Sequence, residues 1–353
     1  MDANVFLPAL TAILACIFFI ALLDQWRTRR RAYQAVWAFG MLFFAVAVAC
    51  EAIAAAVGWS EPIYRLWYLT GAVLAAGWLG LGNAFLLGRT RFGFAFALCL
   101  FLAGLFTFLT ARSSPEIYSE ATTTAMLYFI VAMVLALAVS VETYFQNWRW
   151  PWLAFAAVAG ASIRASVLMF MAELPEPGYV LDPATGVPTA ELLPPELRLL
   201  TPFLNVTGAF ALILGAVFSA YVFMPKKRVL DYSLDPNQPG DSFLFNLLIA
   251  PFAIVVNFLA SAPGAAVALF TGRIHSRVPA TLLIAFGAFI PALTDSLNRF
   301  GTTEWFQLGK LVSVVLLLAG FLVSIEAFSE IRVPFTSIVL RGGRRERQEA
   351  KGS

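Results

Sequence analysis

Runs of about 20 apolar residues recur along the chain near 4–23, 33–57, 63–87, 93–110, 122–143, 151–172, 200–224, 279–298 and 305–328. That is the length an α-helix needs to cross the hydrocarbon of a bilayer, so the pattern predicts nine full transmembrane spans. Polar connections separate them, and a basic tail follows the last one. The expected organisation is a seven-span bundle over 1–224, a cytoplasmic linker over 225–241, a further membrane unit over 242–330 and a polar tail over 331–353. The fold class read from this pattern is all-α, a polytopic transmembrane helical bundle.

Orientation follows from the basic residues, because loops rich in Lys and Arg stay cytoplasmic. Arg27, Arg29, Arg30 and Arg31 follow the first span, which places the N-terminus outside. Alternation then puts Arg89, Arg91, Arg149 and Lys226-Lys227-Arg228 inside, and leaves the acidic, proline-rich loop from Glu173 to Arg198 outside. The stretch 242–271 tests this scheme: one crossing there would place Arg273, Arg277 and the basic tail outside. Pro251 and the Ser261-Ala262-Pro263-Gly264 break divide it, so the expectation is a broken or re-entrant hairpin that enters and leaves on the cytoplasmic side. One long helix kinked at Pro251 is the alternative.

Composition agrees with a lipid environment. Hydrophobic residues make up 60% of the chain and charged residues 13%, where a soluble domain carries about 25% charged residues. Cys16, Cys50 and Cys99 all lie inside apolar runs and form no disulfide framework. The N-terminus has no basic residue before its apolar run, which favours a retained first span over a cleaved signal. His275 is the single histidine, which excludes bis-histidine haem ligation, an HExxH metal site and most histidine-based triads; no metal site or cofactor is expected. No nucleophile and base stand at helical spacing, and no glycine-rich phosphate cradle is present. Beside the last span, Arg344, Arg345 and Arg347 read as an anchor on anionic lipid, not as a nucleic-acid patch.

Against this background four charges stand out: Glu51, Arg164, Asp295 and Lys310 fall within membrane-length apolar segments. A charge at that depth is costly unless it is paired or faces water, so each is a candidate functional residue. Glu51 and Arg164 lie at similar fractions of two spans running the same way, which permits an ion pair, and Asp295 and Lys310 permit a second across a short outer connection. All four lie toward the outer side, which predicts a polar pocket there. Asn205 and Thr207 would join it from the seventh span, with Trp67 and Tyr68 at its mouth. A register-fixing ion pair and an interfacial aromatic belt are the competing readings. Stripes of small residues, Ala72-Ala76-Gly80-Ala84 and Ala157-Ala161-Ala165, predict close helix packing, with homodimerisation as the sharper alternative. In the outer loop, Asp182-Pro183 and Thr185-Gly186 are turn chemistry within Tyr179–Val187 and predict a small hairpin, either a lid or a docked loop.

One further pattern is a gapless match between two spans: Gly58-Trp59-Ser60-Glu61 aligns with Gly301-Thr302-Thr303-Glu304, and Leu74–Leu79 with Leu317–Leu322. A parallel internal repeat is one reading, and the shared letters of apolar helices are the other.

The region Arg273-Ile274-His275-Ser276-Arg277-Val278-Pro279-Ala280-Thr281 through Asn298-Arg299-Phe300-Gly301 resembles a class of uncharacterised bacterial integral membrane proteins. The first seven spans loosely resemble the seven-helix sensory regions of bacterial receptors. These resemblances imply a location in the bacterial inner membrane and supply no catalytic residues. The leading expectation is a non-enzymatic protein that binds a small or lipidic ligand, or a partner subunit, through its outer half, with membrane lipids around it. A secondary transporter and a structural subunit of a larger membrane complex are the alternatives.

Overall fold

A computed structural model describes residues 3–183, 185–233, 235, 243–271, 275, 277–298, 303–323, 331–332 and 339–341. The architecture is a polytopic α-helical bundle. The long helices are α1 (Ala3–Arg29), α2 (Ala32–Val57), α3 (Glu61–Leu86), α4 (Phe92–Ser113), α5 (Thr122–Tyr144), α6 (Trp150–Met171), α7 (Pro195–Phe223), α8 (Phe243–Phe270), α9 (Arg277–Asn298) and α10 (Thr303–Val323). Among the described residues, nine of these helices are long and apolar enough to cross a membrane, and the remaining one, α9, has a shorter apolar stretch, Val278–Pro291. A two-stranded antiparallel ladder, Ile331–Arg332 with Val339–Arg341, lies in the tail.

The helices form because lipid offers the backbone no alternative hydrogen-bond partner. Their packing is decided by small residues. α7 is central and touches α3, α4 and α9, while α1 and α2 pair on one flank and α4 and α5 on another. At the α3–α7 crossing, a Cβ added to Gly80 would lie 2.3 Å from the Gly208 carbonyl oxygen, and one on Gly208 would lie 2.1 Å from that of Ala76. Two asparagines clasp the same pair from opposite sides. Asn205 of α7 donates to the Ala72 carbonyl at 2.8 Å, and Asn83 of α3 donates to the carbonyls of Leu212 at 3.0 Å and Ala211 at 3.3 Å. Ala72 belongs to a π-helical turn, Tyr68–Leu74, whose widened backbone is the kind that needs such an external donor. The small-residue stripe of α3 is therefore used inside the bundle.

The two ends of the bundle differ in charge. One carries Arg27, Arg29, Arg89, Arg91, Arg149 and Lys226-Lys227-Arg228, and the other carries the loop Glu173–Arg198. This loop is a docked cap. Tyr64 donates to the Thr189 carbonyl at 2.8 Å, Tyr179 to that of Trp59 at 2.9 Å, and Gly178, at φ +86°, lies against Glu61 where no side chain would fit. The expected small hairpin is present as a bridge between Leu181 and Pro188.

The largest departure from expectation is at 243–270. The sequence predicts a broken or re-entrant hairpin divided at Pro251 and Ser261–Gly264; the structure instead has one continuous helix containing both Pro251 and Pro263, closer to the alternative of a single long helix. Each proline deletes one backbone hydrogen bond, but abandoning the helix in an apolar setting would orphan many more. The linker folds back along this helix: Asn257 accepts from the backbone N–H of Val229 and Leu230 at 2.7 and 2.9 Å and donates to the Leu230 carbonyl at 2.7 Å. Ser261 accepts from the Lys227 N–H at 2.8 Å. Beside them, burial and the neighbouring Tyr221 push the Tyr232 phenol up to about 12.

Candidate functional site

Six of the seven sequence-predicted site residues separate into three places; the side chain of the seventh, Asp295, lies outside the described residues. Glu51, Trp67 and Lys310 come together between α2, α3 and α10. The Lys310 ammonium forms an ion pair with Glu51 Oε2, Gln307 Nε2 donates to the same oxygen at 3.1 Å, and Trp67 Nε1 donates to Oε1 at 2.7 Å. Lys310 also sits over the Phe306 ring, 4.1 Å from its centroid. The side chains of Glu51 and Lys310 are only 11% and 7% exposed, so this is a buried ion pair. Each oxygen of the carboxylate has a protein donor, which is the condition under which a buried charge is tolerated.

The expected partnership of Glu51 with Arg164 is therefore corrected. The two lie at similar depth but on different flanks of the bundle, because span order along the chain does not specify which helices become neighbours. The side chain of Asp295 lies outside the described residues, and so does its expected bridge to Lys310. Gln307 was missed by the sequence reading. It stands three residues before Lys310, so one helix face presents both, and that spacing was the available signal. Its Oε1 is buried without a hydrogen-bond partner.

Tyr68 and Asn205 occupy a second place. Tyr68 faces α7, where its hydroxyl lies 3.1 Å from Thr201 Oγ1, and Asn205 is committed to the Ala72 carbonyl. Both serve the α3–α7 contact. Thr207 is buried in the same helix, with its hydroxyl unpartnered.

Arg164 forms the third. It is exposed on α6 about two turns from the acidic end of the bundle, and its Nε donates to the Tyr128 hydroxyl of α5 at 2.7 Å. Its guanidinium carbon lies 5.7 Å from the centroid of the same ring. No carboxylate among the described residues is within ion-pair distance of it. Beneath Arg164 runs a groove of about 430 Å³ between α5, α6 and α7, walled by Leu127, Val131 and Leu135, by Ala156 and Gly160, and by Leu200 and Phe203. Thr124 and Tyr128 stand at its polar end. Ala157 and Ala161 of the second small-residue stripe also line it, while Ala157 and Ala165 are buried in the core of the bundle, the close packing expected of that stripe. A Cβ on Gly160 would meet nothing within 4 Å.

Chemically the two charged places are unlike. At Glu51 the protein has supplied every partner the carboxylate needs. At Arg164 it supplies one neutral oxygen and leaves the guanidinium fork facing the open groove. Among the described residues, no group of three or more His, Cys, Asp or Glu could hold a metal ion. No protein-family model, curated protein or solved structure matches the chain.

Proposed function

We propose that this is a non-enzymatic integral membrane protein that binds an anionic, lipidic ligand in the half of the bilayer nearer its acidic loop, with Arg164 as the headgroup contact. The observation that carries this reading is a cation without a carboxylate at the polar end of a groove whose walls are apolar. An acyl chain fits those walls. A phosphate or carboxylate headgroup fits the guanidinium, whose planar fork binds such oxyanions in pairs of parallel hydrogen bonds. The groove's wall residues Leu127 and Val131 are exposed on an apolar flank of the bundle, which supports entry of the ligand from the membrane. In this reading the membrane is a bacterial cytoplasmic one, and the positive-inside rule supports an orientation with this half and the N-terminus outside and the C-terminus inside.

Two variants and native mass spectrometry of gently extracted protein test the reading. Wild-type protein is expected to retain phosphatidylglycerol over phosphatidylcholine when both are offered in equal amounts. Arg164→Gln removes that preference, and Gly160→Phe, which points into open space, blocks retention of either lipid while the protein stays folded. Equal retention of phosphatidylglycerol by all three proteins would overturn it.

A transporter would be favoured by a broken stretch at 242–271 and by the possible internal repeat; the first of these is absent, since Phe243–Phe270 is one continuous helix. The ligand-binding reading is the one the Arg164 groove favours.

A further inference from the structure

Helix α8 has the length and composition of a transmembrane span, yet its contacts lie at one level. At its start, Phe243 packs against Phe94 and Tyr144 with ring centroids 5.7 and 5.0 Å away, and these are residues at the basic ends of α4 and α5. Further along, Asn257 and Ser261 bind the linker at 227–230. Phe258 and Ala265 pack on Ala220, Tyr221 and Met224, at the basic end of α7, and on Val278 at the start of α9. The helix after it begins at that same end: His275 stacks on Phe223 with centroids 4.8 Å apart.

Length decides what this means. From Phe243 to Phe270 the helix is about 40 Å long at 1.5 Å per residue, more than the roughly 30 Å thickness of the hydrocarbon. Were it upright, Phe270 would emerge on the acidic side. The short connection from Phe270 to Val278 would then have to return across the bilayer, and fully extended it reaches no more than about 28 Å. Irregular backbone crossing lipid is also excluded by its unpaired polar groups.

The side chains divide the helix in the matching way. Leu244, Leu248, Phe252, Val255 and Leu259 are exposed along one face. Asn246, Ala250, Ala253, Asn257 and Ser261 are buried along the opposite face, where the linker lies. Lys226, Lys227 and Arg228 stand exposed on that linker.

We infer that α8 does not cross the membrane but lies along its basic-side surface, its leucine and phenylalanine face sunk in the acyl layer and its asparagine and serine face roofed by the linker. The partner of that apolar face is the bilayer itself. An amphipathic helix held this way is buried about 5–10 Å into the boundary between headgroups and chains, and the three linker cations suit an anionic headgroup layer. The inference also restores the charge pattern. With α8 in the surface plane, α9 and α10 cross as a pair, and the segment before Arg277 stays with the other basic loops.

Single cysteines read by a membrane-impermeant maleimide test this in right-side-out and inverted vesicles, with wild-type protein as the blank. Lys227→Cys and Thr271→Cys are expected to label from the same side and Glu61→Cys from the other; labelling of Thr271→Cys with Glu61→Cys would overturn the inference. Bimane placed at Leu248→Cys, Val255→Cys and Val267→Cys then reads depth in vesicles of brominated phosphatidylcholine. All three are expected to be quenched more by bromine near the headgroup than by bromine near the chain end. Strongest quenching of Val255→Cys by the deep bromine would mean a dip into the membrane and would equally overturn it. Neither readout depends on whether Arg164 binds lipid.

Discussion

Glu51 and Arg164 sit at comparable depth in the same half of the bundle, and the protein treats them in opposite ways. Glu51 is enclosed between three helices and hydrogen-bonded by Lys310, Gln307 and Trp67. Arg164 faces an apolar groove with one phenol for a partner. A charge fully satisfied by its own chain fixes helix register and has little left to offer a ligand. One that is half satisfied can accept an oxyanion from outside. The comparison teaches that depth in the membrane marks a charge as significant, and that its unused hydrogen-bonding capacity indicates the direction of that significance.

The largest expected effect comes from breaking the enclosed pair. Lys310→Met strands the Glu51 carboxylate and should destabilise the protein by about 3–5 kcal/mol in detergent unfolding, whereas Lys310→Met with Glu51→Gln should recover most of that loss. Simple addition of the two single losses would mean that the ion pair is not the organising contact. Next comes the backbone crossing of α3 and α7: Gly80→Ala forces a methyl onto the Gly208 carbonyl and should cost about 1–3 kcal/mol by the same measurement.

The open site should respond in binding and not in stability. Arg164→Gln is expected to weaken retention of phosphatidylglycerol about tenfold, equivalent to about 1.4 kcal/mol, with an unfolding midpoint close to wild type. A large stability loss with unchanged lipid retention would make Arg164 a structural residue like Glu51. Combining Glu51→Gln with Arg164→Gln sharpens the contrast, since losses of stability at non-contacting sites should add within about 0.5 kcal/mol. The smallest effect is expected from Asn205→Ala, which removes one interhelical hydrogen bond, to the Ala72 carbonyl, and should cost about 0.6 kcal/mol in thermal unfolding, the average for such bonds in membrane proteins.

Much of the bundle was legible along the chain because a spanning helix must be apolar, about 20 residues long and flanked by asymmetric charge, and each of these is a local property. The four intramembrane charges were legible for the same reason. Their partners were not. Glu51 finds Lys310 because α10 returns beside α2, a contact between residues far apart in sequence, while the Arg164 that matched it in depth was carried to another flank. Gln307 was within reach of the helical spacing, but nothing in the sequence singles out Tyr128, which becomes a partner only because α5 and α6 bring it to Arg164. The prolines of α8 pointed to a break, yet a continuous helix absorbed both.

What this sequence determined alone is that the chain folds as apolar helices in a membrane, with one basic and one acidic end, and that a few ionisable groups fall within the apolar segments. Periodicity, length and charge carry that information without reference to any neighbour. Which charge is locked by its own chain and which is left facing a groove was decided by tertiary packing, through glycines that let α3 and α7 meet at backbone distance and small residues on α6 that keep a channel open. Hydrogen-bond satisfaction depends on which atoms come within about 3 Å of one another, and that distance is set only when the helices are assembled.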